Sequence, residues 1–130
     1  MGNTQNQEDI TKYKTLWNQF FGSSVPDLGP LQPIWDAWMP VEDQVKEYTT
    51  SQFVRLVCIQ LDEIREHDNR GNSAGVTHEI VDIMAVCLNW FRQMGCDTPE
   101  EVDDIIRDRC ASRYDGQVQE IMDKYRKNHG

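Results

Sequence analysis

Residues 49–95 read TTSQFVRLVCIQLDEIREHDNRGNSAGVTHEIVDIMAVCLNWFRQMG, and this stretch decides the fold. Thr49 and Gln52 have the spacing of a capping box, in which each side chain satisfies the other's backbone N–H. The helix they open carries Phe53, Val54, Leu56, Val57, Ile59, Leu61 and Ile64 and is expected to end near His67. Asp68 to Gly75 is polar and glycine-containing and predicts a loop. Thr77 is the expected N-cap of a second helix, running through Ile80, Val81, Ile83, Met84, Val86, Leu88, Trp90 and Phe91 to a stop at Gly95. That helix is apolar around most of its girth, which predicts the buried centre of the fold. A connection this short lets the two helices pack antiparallel.

The flanks extend the helical pattern. Thr98-Pro99-Glu100-Glu101 combines a capping box with proline at the first helical position, and Val102, Ile105, Ile106 and Cys110 follow at helical spacing. Gln117 to Lys127 predicts a last helix with Val118, Ile121, Met122 and Tyr125 on one face. Upstream, Ile10, Tyr13, Leu16, Trp17, Phe20 and Phe21 mark an amphipathic helix over 9–21. Residues 22–40 hold Pro26, Pro30, Pro33 and Pro40 among apolar residues that include Trp35 and Trp38. Such a run predicts an irregular cover packed on the helices rather than regular structure. No alternating strand pattern is present, so the expected architecture is all-α, a four- to five-helix bundle in one domain over 1–130. Its N-terminal helix and irregular cover span 1–48, and its helical core spans 49–127.

Charge narrows the function. Asp and Glu number 22 against 13 Lys and Arg, for a formal net charge of −9. That disfavours nucleic acid, whose binders displace counterions from phosphates with Lys and Arg, and anionic membrane surfaces for the same reason. No apolar run approaches the roughly 18 residues of a membrane span, and the polar start lacks a signal-peptide core, so a cytoplasmic location is expected. Cys58, Cys87, Cys96 and Cys110 include no C-x-x-C pair and predict reduced, mostly buried thiols.

Four carboxylates stand out from the solvated charge. Glu63 and Glu66 lie three apart near the end of one apolar helix, and Glu79 and Asp82 three apart near the start of the next. Residues three apart share a helix face, so each pair is a two-carboxylate claw, and antiparallel packing brings the claws together. Converging carboxylates repel and lose hydration unless a cation sits between them. A hard divalent ion with oxygen ligands fits, Mg²⁺ best and Mn²⁺ next, because Mg²⁺ keeps waters and also takes phosphate oxygens. Either pair alone is also compatible with an ordinary charged helix surface.

E-x-x-E, twelve residues, then E-x-x-D resembles the motif of the MazG-like, all-α nucleoside triphosphate pyrophosphohydrolases. Here it reads Glu63-Ile64-Arg65-Glu66 and Glu79-Ile80-Val81-Asp82. The Gly95 stop, the Thr98 restart and the Arg113-Tyr114 pair follow the family's order, over roughly residues 50–115. The resemblance implies hydrolysis of a nucleoside triphosphate to monophosphate and pyrophosphate, with Glu63, Glu66, Glu79 and Asp82 as metal ligands and Glu63 or Glu66 as general base. Arg109 and Arg113 are candidates for phosphate contact, with plain helix-surface arginine as the other reading. Asn89, seven residues after Asp82 on the same face, is a candidate for sugar or base contact, or a buried amide bonded to a neighbour. Trp17 is a candidate for base stacking, with core packing as the alternative. A homodimer or homotetramer is expected, because one short bundle cannot cover the 77–94 helix alone. The competing function is a catalytically silent helical interaction or nucleotide-sensing module, docking through the Pro- and Trp-rich segment.

Overall fold

The computed structural model describes residues 27–129, and every regular element among them is helical. Helix α1 spans Gln32–Trp38, α2 Glu42–Lys46, α3 Thr50–Asn69, α4 Ser73–Gln93, α5 Pro99–Ala111 and α6 Gln117–His129. Short 3-10 turns at Gly29–Leu31, Met39–Val41 and Ser112–Asp115 link them. The helix expected over 9–21, Trp17 within it, lies outside the described residues, as does the start of the 22–40 segment.

The irregular cover is corrected where it is described. Residues 29–46 form two 3-10 turns and two short helices, and each of Pro30, Pro33 and Pro40 occupies one of the first two positions of an element. A proline there loses nothing, because the N–H it lacks has no partner in the first turn anyway. The segment does pack down. Trp35 is 1% exposed and joins Leu28, Leu88, Cys96 and Val102 in the core, with Leu31, Ile34, Phe91 and Ile106 around them. Helix α1 thereby fastens onto α4 and α5.

The α3–α4 hairpin is the frame. Thr49 and Gln52 form the expected capping box, Thr49 Oγ1 accepting from Gln52 N at 3.2 Å and Gln52 Oε1 from Thr49 N at 2.7 Å. The connection is shorter than the composition suggests, because α4 begins at Ser73 rather than at Thr77. Gly71, at φ +70°, ends α3 in a Schellman turn, with Asn72 N bonded to His67 O at 2.9 Å and Gly71 N to Asp68 O at 3.0 Å. Asn72 then caps α4 by accepting from Gly75 N at 3.0 Å. Thr77, inside the helix, donates to the Ala74 carbonyl instead. The far end of α4 repeats the device: Gly95 sits at φ +103° and Cys96 N bonds Phe91 O at 3.0 Å.

Helix α4 is buried along one face, not all round. Ala85, Leu88, Asn89 and Arg92 are buried, whereas Ile80, Val81 and Met84 are 43%, 47% and 41% exposed in the single chain. The thiols divide likewise. All four are free; Cys96 is buried and Cys110 half-buried, but Cys58 and Cys87 are exposed despite their apolar neighbours. No described helix is long and apolar enough to cross a membrane.

Candidate functional site

Glu63 stands six residues before the end of α3 and Glu79 six residues after the start of α4. Counted from a common turn, both lie about 9 Å along their helices at 1.5 Å per residue, so the hairpin sets them side by side. The two carboxyls interact directly. Contact with Glu63 is the main cause that raises the Glu79 pKa, followed by loss of hydration and by the charges of Glu63 and Asp82. The Gln60 amide, with its NH2 turned toward them, donates to Glu63 Oε2 at 3.2 Å and to Glu79 Oε2. A neutral amide spans the pair but supplies no charge.

His67 closes the other side. Asn72 Oδ1 is occupied by the Gly75 N–H, so its NH2 faces His67 Nδ1, 3.2 Å away. In the neutral ring Nδ1 is then the acceptor, and the Nε2–H points at Glu79 Oε1, 3.5 Å away. This contact lowers the Glu79 pKa, the weakest of the influences on it.

The remaining carboxylates are placed differently. Asp82 borders a cavity of about 350 Å³ together with Trp38, Tyr48, Phe53, Gln60 and Asn89. Glu66 turns to solvent and pairs at 2.5 Å with Arg70, the residue that caps the end of α3. The hairpin therefore brings Glu63, Glu79 and Asp82 toward one place and leaves Glu66 engaged elsewhere. Among the described residues no three His, Cys, Asp or Glu side chains close into a ready-made ligand cage.

The cavity has two chemistries. Its aromatic wall includes Tyr48 against Phe53, with centroids 5.6 Å apart, and Phe53 stacks in turn on Trp90 at 5.7 Å and 7°. Its polar side chains are Gln60, Asp82 and Asn89. Asn89 is 4% exposed and its Oδ1 accepts from Arg92 Nη1 at 2.8 Å. Arg92, 1% exposed, also donates to the Trp35 carbonyl at 2.5 Å, and its guanidinium carbon lies 3.7 Å from the Trp35 ring centroid. Burial pulls the Arg92 pKa down to about 10, against the opposing charges of Glu42 and Asp36. A larger hollow of about 580 Å³, lined by Thr50, Cys87, Trp90, Phe91 and Met94, holds no charged side chain.

Arg109 and Arg113 lie on α5 and the turn after it, outside the cavity lining; Arg113 Nη1 donates to Gln117 Oε1 at 2.9 Å. Gln60, Trp38, Tyr48 and Phe53 were not expected at the site. Gln60 and Phe53 were within reach of sequence reasoning, since Gln60 is one turn before Glu63 and Phe53 two turns before Gln60 on the same helical face. No such signal marks Trp38 or Tyr48, which arrive from the preceding segment. No family model, curated protein or solved structure matches the chain.

Proposed function

We propose that the chain is a Mg²⁺-dependent nucleoside triphosphate pyrophosphohydrolase, Mn²⁺ being able to substitute. One observation carries the reading: Glu63 and Glu79 touch across the hairpin, beside Asp82 and a cavity with aromatic walls. The donor set suits a hard divalent cation, because it is all oxygen and anionic, and the Glu79 carboxyl is held above its ordinary pKa by its neighbours. Glu63, Glu79 and Asp82 would hold the metal. Glu66 would join by leaving Arg70, and an ion pair whose partners are 59% and 66% exposed resists that little. When bound, the metal would supply charge neutralisation for the phosphates and lower the pKa of the attacking water; attack at the α-phosphorus breaks its bond to the bridging oxygen, and pyrophosphate leaves. Gln60, at the cavity lining, donates to Glu63 and Glu79 and so orients both carboxyls. Glu63 or Glu66 takes the proton of the attacking water, as the general base. The cavity bounded by Trp38, Tyr48, Phe53 and Asn89 receives the nucleoside, with the triphosphate directed toward Asp82 and the carboxylate pair.

Release of pyrophosphate, assayed over common and modified nucleoside triphosphates with Mg²⁺ and with EDTA, is the direct test. Metal-dependent release from at least one triphosphate is expected, and Glu63→Gln and Glu79→Gln abolish it. Folded, metal-supplied protein that turns over none of them refutes the reading.

A second reading is favoured by the exposed apolar faces. Val118, Met122 and Tyr125 of α6 are 53%, 46% and 54% exposed, in addition to the open face of α4. A homodimer or homotetramer would cover them in an enzyme, and a helical interaction or nucleotide-sensing module would use them to dock. Light scattering at micromolar concentration separates these: a dimer or tetramer fits the first, a monomer the second.

A further inference from the structure

Asn89 presents an amide to the cavity, and an amide can face either way unless a neighbour decides. Here the neighbour is Arg92, whose guanidinium has five N–H donors and no acceptor. The Asn89 atom 2.8 Å from Arg92 Nη1 is therefore the oxygen, and the NH2 is the edge left for a ligand. Arg92 cannot turn away. Its second nitrogen is spent on the Trp35 carbonyl, and the guanidinium lies against the face of a Trp35 ring that is itself 1% exposed. The direction of the amide is thus set by a chain from the core, Trp35 to Arg92 to Asn89. Beside that donor, Trp38, Tyr48 and Phe53 form a wall suited to a flat ring.

We propose that Arg92 is a positioning residue that locks the Asn89 NH2 toward the cavity. The cavity thereby selects nucleobases with an exocyclic carbonyl at that edge, such as uracil and hypoxanthine, over their exocyclic-amine counterparts cytosine and adenine. This rests on the cavity being the nucleoside site of the proposed hydrolase. An oxo base accepts a hydrogen bond from the Asn89 NH2; an amino base sets donor against donor and leaves both unbonded in a half-closed site. One such mismatch corresponds to about 10- to 100-fold in affinity.

The test uses matched pairs that differ at one exocyclic group. Uridine against cytidine and inosine against adenosine are titrated into the full chain by tryptophan fluorescence, and pyrophosphate release is measured with the four corresponding triphosphates. The wild type is expected to prefer the oxo member of each pair by 10-fold or more. Asn89→Asp keeps the bond to Arg92 but offers only acceptors to the cavity, so the preference inverts toward cytidine and adenosine. Arg92→Gln, which both donates and accepts, frees the Asn89 amide and brings each ratio toward one. Arg92→Lys, a donor only, keeps the preference, which a merely structural Arg92 would not require. If Arg92→Gln does not fold, Arg92→Lys tests the lock, a lost preference in that variant overturning it, and the Asn89→Asp inversion tests the base contact. Equal binding of oxo and amino partners by the wild type, no binding of any nucleoside, or an unchanged preference in Asn89→Asp overturns the inference. Triphosphate turnover without base preference overturns it while leaving the hydrolase reading intact. A preference that inverts in Asn89→Asp without turnover of any triphosphate supports the selectivity and refutes the hydrolase.

Discussion

Gly75→Ala is the sharpest probe of the hairpin, because the two effects it combines have opposite signs. Residue 75 lies in the first turn of α4, and alanine in a helix is favoured over glycine by up to about 1 kcal/mol. On propensity alone the variant is stabilised. A Cβ at this position, however, would stand 2.5 Å from His67 Nδ1, 2.6 Å from Asn72 Nδ2 and 2.7 Å from His67 Cγ. Both side chains must shift. The Asn72 cap on α4 is then weakened, at about 1 kcal/mol, and the contact between Asn72 and His67 is lost, at about 1 kcal/mol more. The net expectation is a loss of about 1 kcal/mol, or roughly 3–6 °C in Tm for a domain of this size. Urea and thermal unfolding of the variant measure it. The same substitution in a His67→Ala background meets only Asn72, so its effect there is smaller, and the double-mutant cycle reads the coupling. A Gly75→Ala protein as stable as the wild type or more so, or one with no coupling to His67, refutes the reasoning.

Three further outcomes follow from the site and the core. Glu79 has a folded-state pKa above its unfolded value, so between those two values the folded state binds more protons and stability falls as pH rises. Without divalent cation, Glu79→Gln therefore raises Tm at neutral pH, and the gain disappears as the pH drops through the raised pKa toward the ordinary carboxylate range. Thermal melts in EDTA across that range check it. Glu66→Gln, which removes only an exposed partner of Arg70, changes stability by no more than about 0.5 kcal/mol at any of these pH values. Val102→Ala removes two methyl groups from a side chain that is 0% exposed against Trp35 and Leu28, and costs about 2 kcal/mol in urea unfolding.

Local chemistry was legible where a short motif has one meaning. The Thr49 capping box, the Thr98 restart, at which Glu101 N donates to Thr98 Oγ1, and the Gly95 stop all stand where the residues put them. The misreadings share a cause. Gly75 and the three prolines are usual breakers, and each sits in a helix for a reason that needs three dimensions or a register to see. Gly75 is there because His67 and Asn72 leave no room for a side chain, and the prolines because they start elements. At the site, spacing across the hairpin placed Glu63 against Glu79. It did not show that Arg70, one turn beyond Glu66, draws that carboxylate outward, although Glu and Arg four apart on a helix announce such a pair. Arg92 behind Asn89 was out of reach, since its partner Trp35 is 57 residues away in the chain.

Asn72 finishes the turn that ends α3 and begins the cap that starts α4, so the hairpin contains no residue whose only duty is to connect. The two helices are consequently phased like gears on one shaft. One inserted residue would rotate α4 by about 100° relative to α3, since a helix turns once in 3.6 residues. Glu79 would leave Glu63, and Asp82 and Asn89 would leave the cavity in the same step, even though no site residue had been changed. Most surface loops tolerate changes in length; in this chain the length of one turn is itself part of the site's specification.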